Sequence, residues 1–203
     1  MGKNLFFLFY FLFLALINIE CWAGAGVSPS FGATPPFQNQ HPKNPSETLL
    51  YFTNHTAYQV CFTPQEDCTR SVIKLINTAQ TQIRMQTYSF TSKPIAKALV
   101  KAAHRGVDVQ IIYDVSNFEP EKNRLAKYLI KNHIPAYIDT VPGIAHNKVL
   151  IIDGNTVETG SFNYTYSAQE NNAENVLIIH SSILANAYLN NWNFRKSQAR
   201  IES

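Results

Sequence analysis

The sequence predicts an α/β fold in which a mixed, mostly parallel β-sheet is flanked by helices on both faces. From about Thr56 onward, segments with the two-residue period of strands alternate with segments that have the helical period. Such alternation is typical of sheets covered by helices. The 203 residues are 45% hydrophobic, which is enough for one sizeable core but hardly for two. We therefore expect a single folded domain, over residues 56–197.

The N-terminal segment has the features of a secretory signal peptide. Lys3 precedes thirteen uninterrupted apolar residues at 5–17, and a small-x-small cleavage pattern follows at 23–25. We therefore expect residues 1–25 to be a signal peptide and the protein to be exported, either periplasmic or secreted. The apolar run is short for a membrane span, but a signal that is not cleaved would leave the protein membrane-anchored.

Residues 26–45 are expected to form a Pro-rich linker. They contain five of the ten prolines and no hydrophobic period. This composition is typical of linkers rather than of packed elements.

Two cysteines, Cys61 and Cys68, remain after removal of the signal peptide, and a turn-forming stretch separates them. In an exported protein such a pair favours a disulfide over a metal site, because a structural zinc ion needs four ligands. We therefore expect a disulfide that joins a strand to the start of a helix, with no metal ion and no cofactor.

The first half of the domain is predicted to alternate three strands with two helices. The strands are expected at 58–62, 82–88 and 107–114. The first helix follows Cys68, because Val72, Ile76 and Ala79 recur at helical spacing. The second, over 94–105, begins after Ser92 and ends at Gly106.

The second half is predicted to begin with an amphipathic helix and to end with a closing helix. These helices are expected at 121–132 and 183–194. Between them the apolar runs predict strands at 136–138, 149–152, 157–159 and 176–179.

Four polar side chains are predicted to meet at one end of the sheet. His146 and Lys148 stand two residues apart at the mouth of a strand, so their side chains leave on the same face. A turn after Asp153 sends the chain back and returns Ser161 and Asn163 to the end that holds His146. An imidazole, an ammonium, a hydroxyl and a carboxamide together suit a phosphate group.

This stretch resembles the signature of the phospholipase D superfamily. The pattern H-x-K-x4-D-x6-G-S-x-N is met at every fixed position, by His146, Lys148, Asp153, Gly160, Ser161 and Asn163. The resemblance extends over about residues 58–192 to the small, single-motif secreted bacterial endonucleases of that superfamily. It implies a phospholipase D/nuclease-like fold with one catalytic domain.

The resemblance implies a metal-independent phosphodiesterase that works through a phosphohistidine intermediate on His146. Lys148 and Asn163 would hold the phosphoryl oxygens, and Ser161 would support that pocket.

Three further residues receive roles from the resemblance. Gly160 is a structural position of the motif, and Asp153 would orient neighbouring groups. Glu174 matches the acidic residue that fixes the histidine ring.

The family mechanism needs two histidines, one as nucleophile and one to protonate the leaving oxygen, but this sequence carries one copy of the motif. The resemblance therefore implies a homodimer that brings two copies of His146 together, with the active site at the twofold interface.

The substrate remains open between classes. A formal net charge of +3 suits a polyanion without demanding one. We expect an exported endonuclease acting on DNA or RNA. The alternatives are a phospholipase D that hydrolyses phosphatidylcholine-type phospholipids and a DNA-binding or uptake component whose catalysis is incidental.

A row of basic residues along the predicted helix 94–105 has two interpretations. Lys93, Lys97, Lys101 and Arg105 lie three or four residues apart. They form either a solvated outer face, which we favour, or a track for nucleic acid.

Overall fold

The structure is a computed structural model that describes residues 51–52, 55–118 and 123–202, all within one compact unit. The predicted signal peptide at 1–25 and linker at 26–45 lie outside the described residues. The strands are β1 (Tyr58–Phe62), β2 (Gln82–Thr87), β3 (Asp108–Asp114), β4 (Ala136–Asp139), β5 (Lys148–Ile152), β6 (Thr156–Gly160), β7 (Asn175–His180) and β8 (Arg200–Glu202). The helices are α1 (Cys68–Thr78), α2 (Lys93–His104), α3 (Arg124–Lys131), α4 (Tyr166–Glu170) and α5 (Ser182–Gln198), and a short 3-10 turn spans Val115–Asn117.

The strands form one mixed sheet in the order β1-β7-β6-β5-β2-β3-β4-β8. The β2–β3 and β3–β4 pairs are parallel, whereas the other five neighbouring pairs are antiparallel. The prediction of a mixed sheet is confirmed, but the prediction that it is mostly parallel is wrong.

The connections explain this difference. Helices α2 and α3 act as crossovers, so β2, β3 and β4 run in the same direction. β5 instead returns as β6 through a tight turn in which Asp153 and Gly154 both have positive φ, 51° and 65°, as type I′ hairpins require. The alternation of strand and helix patterns does not reveal which strands become neighbours.

Two short elements were not predicted from the sequence. α4 has five residues and β8 has three, which is shorter than the windows in which a hydrophobic period can be recognised. β8 pairs with β4 and extends the sheet at that edge.

Helices cover both faces of the sheet, as predicted. Apolar side chains of α1 to α4 share one large core with one face of the sheet. On the other face, Ala185 and Trp192 of α5 pack on Ile112, Ile151 and Val157. Within the described residues, no helix combines the length and the hydropathy needed to cross a membrane.

The predicted disulfide between Cys61 and Cys68 is present. It joins β1 to the first residue of α1, and both cysteines are buried. Asp67, which precedes the helix, accepts a hydrogen bond from the backbone N–H of Arg70 and so caps α1. The turn between β1 and α1 is therefore closed at both of its ends.

Candidate active site

His146 and Lys148 lie at the N-terminal end of β5. Lys148 is buried, and its Nζ donates a hydrogen bond to the carbonyl oxygen of His146 at 2.7 Å. The His146 side chain is exposed and lies against Tyr88, with ring centroids 4.4 Å apart and planes tilted by 58°. The same tyrosine ring lies 5.0 Å from the Lys148 Nζ, within the range of a cation–π contact. Tyr88 therefore contacts both residues.

The environment of Lys148 disfavours its charge. Burial lowers the pKa of the ammonium below its ordinary value, and the nearby Glu174 carboxylate offsets part of that shift. An anionic group that binds beside Lys148 would supply the missing negative charge.

Ser161 returns to the same end of the sheet, as the sequence predicts. β6 runs antiparallel to β5, with Thr159 opposite Val149. The Ser161 hydroxyl donates a hydrogen bond to Oε2 of Glu174. It also accepts hydrogen bonds from the backbone N–H of Asn175 at 3.1 Å and from its side-chain Nδ2 at 3.3 Å. The hydroxyl is thus held from both sides.

Glu174 is anchored by residues from a distant part of the chain. Its Oε1 accepts a hydrogen bond from Nδ2 of Asn172 at 2.8 Å. The buried Thr63 hydroxyl, on the turn after β1, accepts from the backbone N–H of Glu174 at 3.1 Å and donates to the carbonyl of Asn172 at 2.9 Å. The turn closed by the disulfide therefore supports the carboxylate.

The hydrogen bond expected between Glu174 and the His146 ring is not formed in this structure. Both carboxylate oxygens of Glu174 accept from other residues, and the histidine ring packs on Tyr88 instead. Glu174 reaches the site through its interactions with Ser161 and Lys148.

Gly160 permits a close approach between β6 and β7. A Cβ atom at this position would lie 2.1 Å from the carbonyl oxygen of Asn175 and 2.9 Å from its carbonyl carbon, closer than any side chain allows. The glycine thus lets Asn175 come within hydrogen-bond distance of Ser161.

Asn163 carries a buried polar atom that is not satisfied. Phe162 and Tyr164, on either side of it, are fully buried and fix this segment. The Asn163 Oδ1 has no hydrogen-bond partner within the described part of the chain. Rotation of the amide by half a turn would place its NH₂ group at the same point. The carboxamide is therefore available to a substrate.

Asp153 is not brought to this site. It follows β5 at the opposite end of the strand, about 16 Å from Lys148 at the usual rise per residue. Its carboxylate accepts hydrogen bonds from the backbone N–H groups of Gln80, Thr81 and Gln82 and from the Thr81 hydroxyl, at 2.8–3.0 Å. The groups that Asp153 orients are therefore the backbone between α1 and β2, and its listing among catalytic candidates has no support in this geometry.

The loop before His146 is held by Asp114, which sequence reasoning missed. Asp114 is buried at the end of β3, and its Oδ2 accepts a hydrogen bond from the backbone N–H of Ala145. Its Oδ1 accepts from the backbone N–H of Ser116 at 2.9 Å. This carboxylate thereby fixes the residue that immediately precedes the histidine.

A second buried carboxyl group, Glu158, was also missed. Its Oε2 accepts a hydrogen bond from the Tyr164 hydroxyl at 2.7 Å, and its Oε1 has no partner among the described residues. Burial raises the pKa of Glu158 to about 8, although the Tyr164 hydrogen bond opposes the shift. The group is therefore protonated over most of the neutral range.

The arrangement is suited to phosphodiester chemistry. An exposed imidazole can act as a nucleophile or a proton carrier. The neighbouring ammonium, hydroxyl and carboxamide can bind phosphoryl oxygens. Over the described ranges, no group of three His, Cys, Asp or Glu side chains is placed to hold a metal ion.

The missed residues share a cause. Tyr88, Thr63 and Asp114 come from strands that precede the motif by more than thirty residues, and only the sheet brings them to it. Their one signal in the sequence is that each stands at or just beyond the end of a predicted strand.

Comparison with protein families identifies a match over residues 72–194 to the model described as "Cardiolipin synthase, PLD-like domain". Among curated proteins, the phospholipase D of Rickettsia prowazekii is 47% identical over 137 residues, which cover 68% of this chain and 66% of that protein. The matched part is thus about two thirds of the relative's length.

Two solved structures are similar over nearly their whole length. Nuc from Salmonella typhimurium, described as a phospholipase D family member, has a TM-score of 0.69 and 39% identity, over 72% of this chain and 98% of that chain. NucT from Helicobacter pylori has a TM-score of 0.66 and 28% identity, over 71% of this chain and 98% of that chain.

Proposed function

Because this chain belongs to the phospholipase D family and is a phosphodiester hydrolase, we propose that it is an exported endonuclease that cleaves nucleic acid without a metal ion. The observation that carries the proposal is the exposed His146 ring beside the buried Lys148, with the Ser161–Glu174 pair at the same end of the sheet. A phosphodiester needs a nucleophile within reach and a cation to neutralise its oxygens, and this pair of residues offers both.

The first step is attack on phosphorus. A ring nitrogen of His146 forms a bond to phosphorus while the bond between phosphorus and the leaving oxygen breaks. A second imidazolium gives its proton to that oxygen. Lys148 and the carboxamide of Asn163 bind the non-bridging oxygens, on which negative charge increases.

The second step releases the enzyme. The second imidazole, now neutral, removes a proton from water, and the resulting hydroxide attacks phosphorus. The phosphorus–nitrogen bond of the intermediate breaks, which regenerates His146 and frees a phosphomonoester. No oxidant, metal ion or cofactor enters either step.

The second imidazole comes from another copy of the chain. Each chain offers one motif histidine, and the His146 side chain is exposed. A twofold homodimer with the two sites facing each other would place one His146 on each side of the phosphorus.

Nucleic acid is the favoured substrate on grounds of charge and size. The chain carries a formal net charge of +3. The segment after Tyr88 leads into α2, where Lys93 and Lys97 are exposed. The single-motif architecture resembles that of small secreted endonucleases. A polyanion is attracted by such a surface.

A phospholipid is the second candidate. It is favoured by the relative from Rickettsia prowazekii, which is named phospholipase D. It is also favoured by Ile144, which lies two residues before His146 and is 53% exposed. An exposed apolar side chain beside the site is the feature that a membrane substrate would use.

Export is part of the proposal. The Cys61–Cys68 disulfide supports it, since such bridges persist in oxidising compartments outside the cytoplasm. Fractionation of the producing cells and the intact mass of the protein test it. Cleavage after residue 25 would give a chain that begins at Gly26. A membrane-bound chain that retains residues 1–25 would contradict a free exported enzyme.

The nuclease proposal is tested by incubating the purified protein with single- and double-stranded DNA in excess EDTA. His146→Ala is compared with His104→Ala, a change of an exposed histidine at the end of α2. We expect DNA cleavage that survives EDTA, persists in His104→Ala and is lost in His146→Ala.

Other outcomes would assign the protein differently. Head-group release from phosphatidylcholine without DNA cleavage would identify a phospholipase. A His146→Ala protein that still supports DNA uptake would favour a binding component. EDTA-sensitive cleavage would contradict the mechanism.

A further inference from the structure

A cavity of about 660 Å³ opens beside the candidate active site, between the N-terminal parts of α2 and α3. Its wall includes Lys93 and Lys97 of α2, Arg124 and Tyr128 of α3, and the segment Ser89–Thr91. Its volume lies within the range of small-molecule binding sites. None of these residues belongs to the phosphodiester chemistry described above.

Two segments connect this cavity to His146. Ser89 follows Tyr88, whose ring lies against the histidine. On the other side, Ser116 lines the cavity and is hydrogen-bonded to Asp114, the residue that also binds the backbone of Ala145. The cavity therefore continues from the site along the direction that a bound chain molecule would follow.

The cavity carries a cluster of positive charges without counter-ions. Lys93, Lys97 and Arg124 are exposed, and in the described part of the chain their side chains form no ion pair or hydrogen bond. The lining residues that the structure describes include no Asp or Glu. Lys93 and Lys97 stand one helical turn apart, about 6 Å along α2. Such a cluster is complementary to successive phosphates of a nucleic acid backbone.

The rest of the basic row on α2 does not share this environment. Lys101 lies a further turn along the helix and does not line the cavity. The Arg105 guanidinium donates hydrogen bonds to the carbonyls of Ile76, Asn77 and Ala79 and so holds the C-terminal end of α1. The charges that face the cavity are thus a distinct subset of the row.

An apolar wall faces the cations across the cavity. Phe90 and Leu125 contribute to it, and the Tyr128 ring is 39% exposed at its edge. An exposed tyrosine beside cations is the combination with which proteins bind unpaired bases, by stacking the base while the cations hold the backbone.

We propose that this cavity is a subsite for the nucleotides next to the scissile phosphate in a single-stranded segment. Lys93, Lys97 and Arg124 bind backbone phosphates, and Tyr128 stacks on a base. An unpaired strand is required, because bases in a duplex do not present their faces to a side chain. The inference rests on the proposed nuclease function and extends it to the mode of substrate binding.

The first test measures binding of a fluorescently labelled single-stranded oligodeoxynucleotide to the full chain. The protein carries His146→Ala to prevent cleavage, and anisotropy is followed from low to high salt. Lys93→Gln, Lys97→Gln and Arg124→Gln are compared with Lys101→Gln, the same charge change on the same helix. Each cavity variant should weaken binding and reduce the slope of log K against log salt by about 0.7, the value for one phosphate contact on a single strand. Lys101→Gln should leave the slope unchanged.

The second test addresses the base. Tyr128→Ala should weaken binding roughly tenfold, whereas Tyr128→Phe, which keeps the ring, should bind as the parent does. In the catalytically competent protein, the loss of activity in the cavity variants should shrink as the substrate is shortened from an oligonucleotide to bis(p-nitrophenyl) phosphate.

The outcomes separate this inference from the proposed function. Cavity variants that bind the oligonucleotide like Lys101→Gln, in a protein that cleaves DNA through His146, would overturn the subsite and leave the nuclease standing. DNA cleavage that survives His146→Ala would overturn the proposed function itself. Cavity variants that impair phosphatidylcholine hydrolysis but not oligonucleotide binding would show that the cavity accepts lipid, which also contradicts the inference.

Discussion

At the residue scale, Lys148 stands at the start of β5 with only 5% of its surface exposed. Its Nζ binds the carbonyl of His146 and faces the Tyr88 ring, and Glu174 offsets only part of the penalty of burying the ammonium. Burying a charge that is not fully paired is unfavourable for folding. A lysine kept in such a place is expected to serve substrate binding rather than stability.

We expect Lys148→Met to abolish phosphodiester hydrolysis without lowering the Tm. Methionine fills a similar volume and removes the desolvation penalty, while the phosphoryl oxygens lose their cation. Thermal unfolding and an oligonucleotide cleavage assay check the two halves of this prediction. A variant that melts well below the parent would mean that the ammonium stabilises the fold.

Glu158 should make stability depend on pH. Its pKa is raised from 4.5 to about 8, so between these values the folded protein holds a proton that the unfolded chain has lost. The free energy of unfolding therefore falls as pH rises through this window, by up to about 1.4 kcal/mol per pH unit. Glu158→Gln keeps an acceptor for Tyr164 and should remove this slope, so its advantage over the parent should grow from pH 5 to pH 8. Urea unfolding at several pH values tests this, and parallel pH profiles for the two proteins would contradict it.

At the element scale, the prediction from sequence succeeded where a pattern is long and local. α1, α2 and α5 and the strands from β2 to β7 fall within a few residues of their predicted positions. The pairing of strands could not be predicted in the same way. β1 joins β7 and β2 joins β5 across long stretches of chain, and a period within one segment carries no information about its partner.

The turn between α1 and β2 should depend on Asp153. Burial alone would raise the pKa of this carboxyl, but the hydrogen bonds from Gln82, Thr81 and Gln80 outweigh it, and the pKa lies below its ordinary value. Asp153→Asn should therefore destabilise the protein by about 1–3 kcal/mol at pH 7. This difference should vanish in acid, as pH falls below the ordinary pKa of 3.8 and through the lowered folded value.

Activity distinguishes this role from a role in the site. Asp153→Asn should retain most of its hydrolysis per folded molecule, whereas Glu174→Gln should lose most of it. Chemical denaturation and initial rates on the same preparations provide both quantities. Equal losses of activity in the two variants would return Asp153 to the site.

The turn after β1 should act on catalysis through Thr63. Thr63→Val leaves the backbone N–H of Glu174 and the carbonyl of Asn172 without their partner, a loss of about 1–3 kcal/mol. We expect lower stability and a lower kcat, because the Glu174 carboxylate is held less firmly. Thr63→Ser keeps both hydrogen bonds and should restore the kcat, and a Thr63→Ser protein as impaired as Thr63→Val would contradict this explanation.

At the scale of the whole molecule, the site combines a local part with a distant part. His146, Lys148, Ser161 and Asn163 could be placed together from the sequence, because one hairpin sets their register. Tyr88, Thr63 and Asp114 could not, since three separate strands deliver them to the site. The position of Asp153 was consistent with the motif but not with a place in the pocket, because the whole length of β5 lies between it and Lys148.

A single motif histidine in each chain leads to a prediction about mixtures. If each site needs His146 from both subunits, dimers that contain one His146→Ala chain are inactive. After subunit exchange, an equal mixture of active and His146→Ala chains should then retain about one quarter of the activity rather than about one half. Mixing with Lys101→Gln serves as the control, and sedimentation establishes that both mixtures are dimeric. An activity that falls in proportion to the active fraction would contradict the shared site.

The Cys61–Cys68 bridge also bears on when the enzyme becomes dangerous to its producer. Thiols of the cytoplasm keep such a pair reduced, and the turn that holds Thr63, and through it Glu174, then lacks its covalent closure. We expect a newly made chain to be a weaker hydrolase than the same chain after oxidation. For a cell that makes an enzyme directed at nucleic acid, this order of events would spare its own chromosome and transcripts until the protein has left.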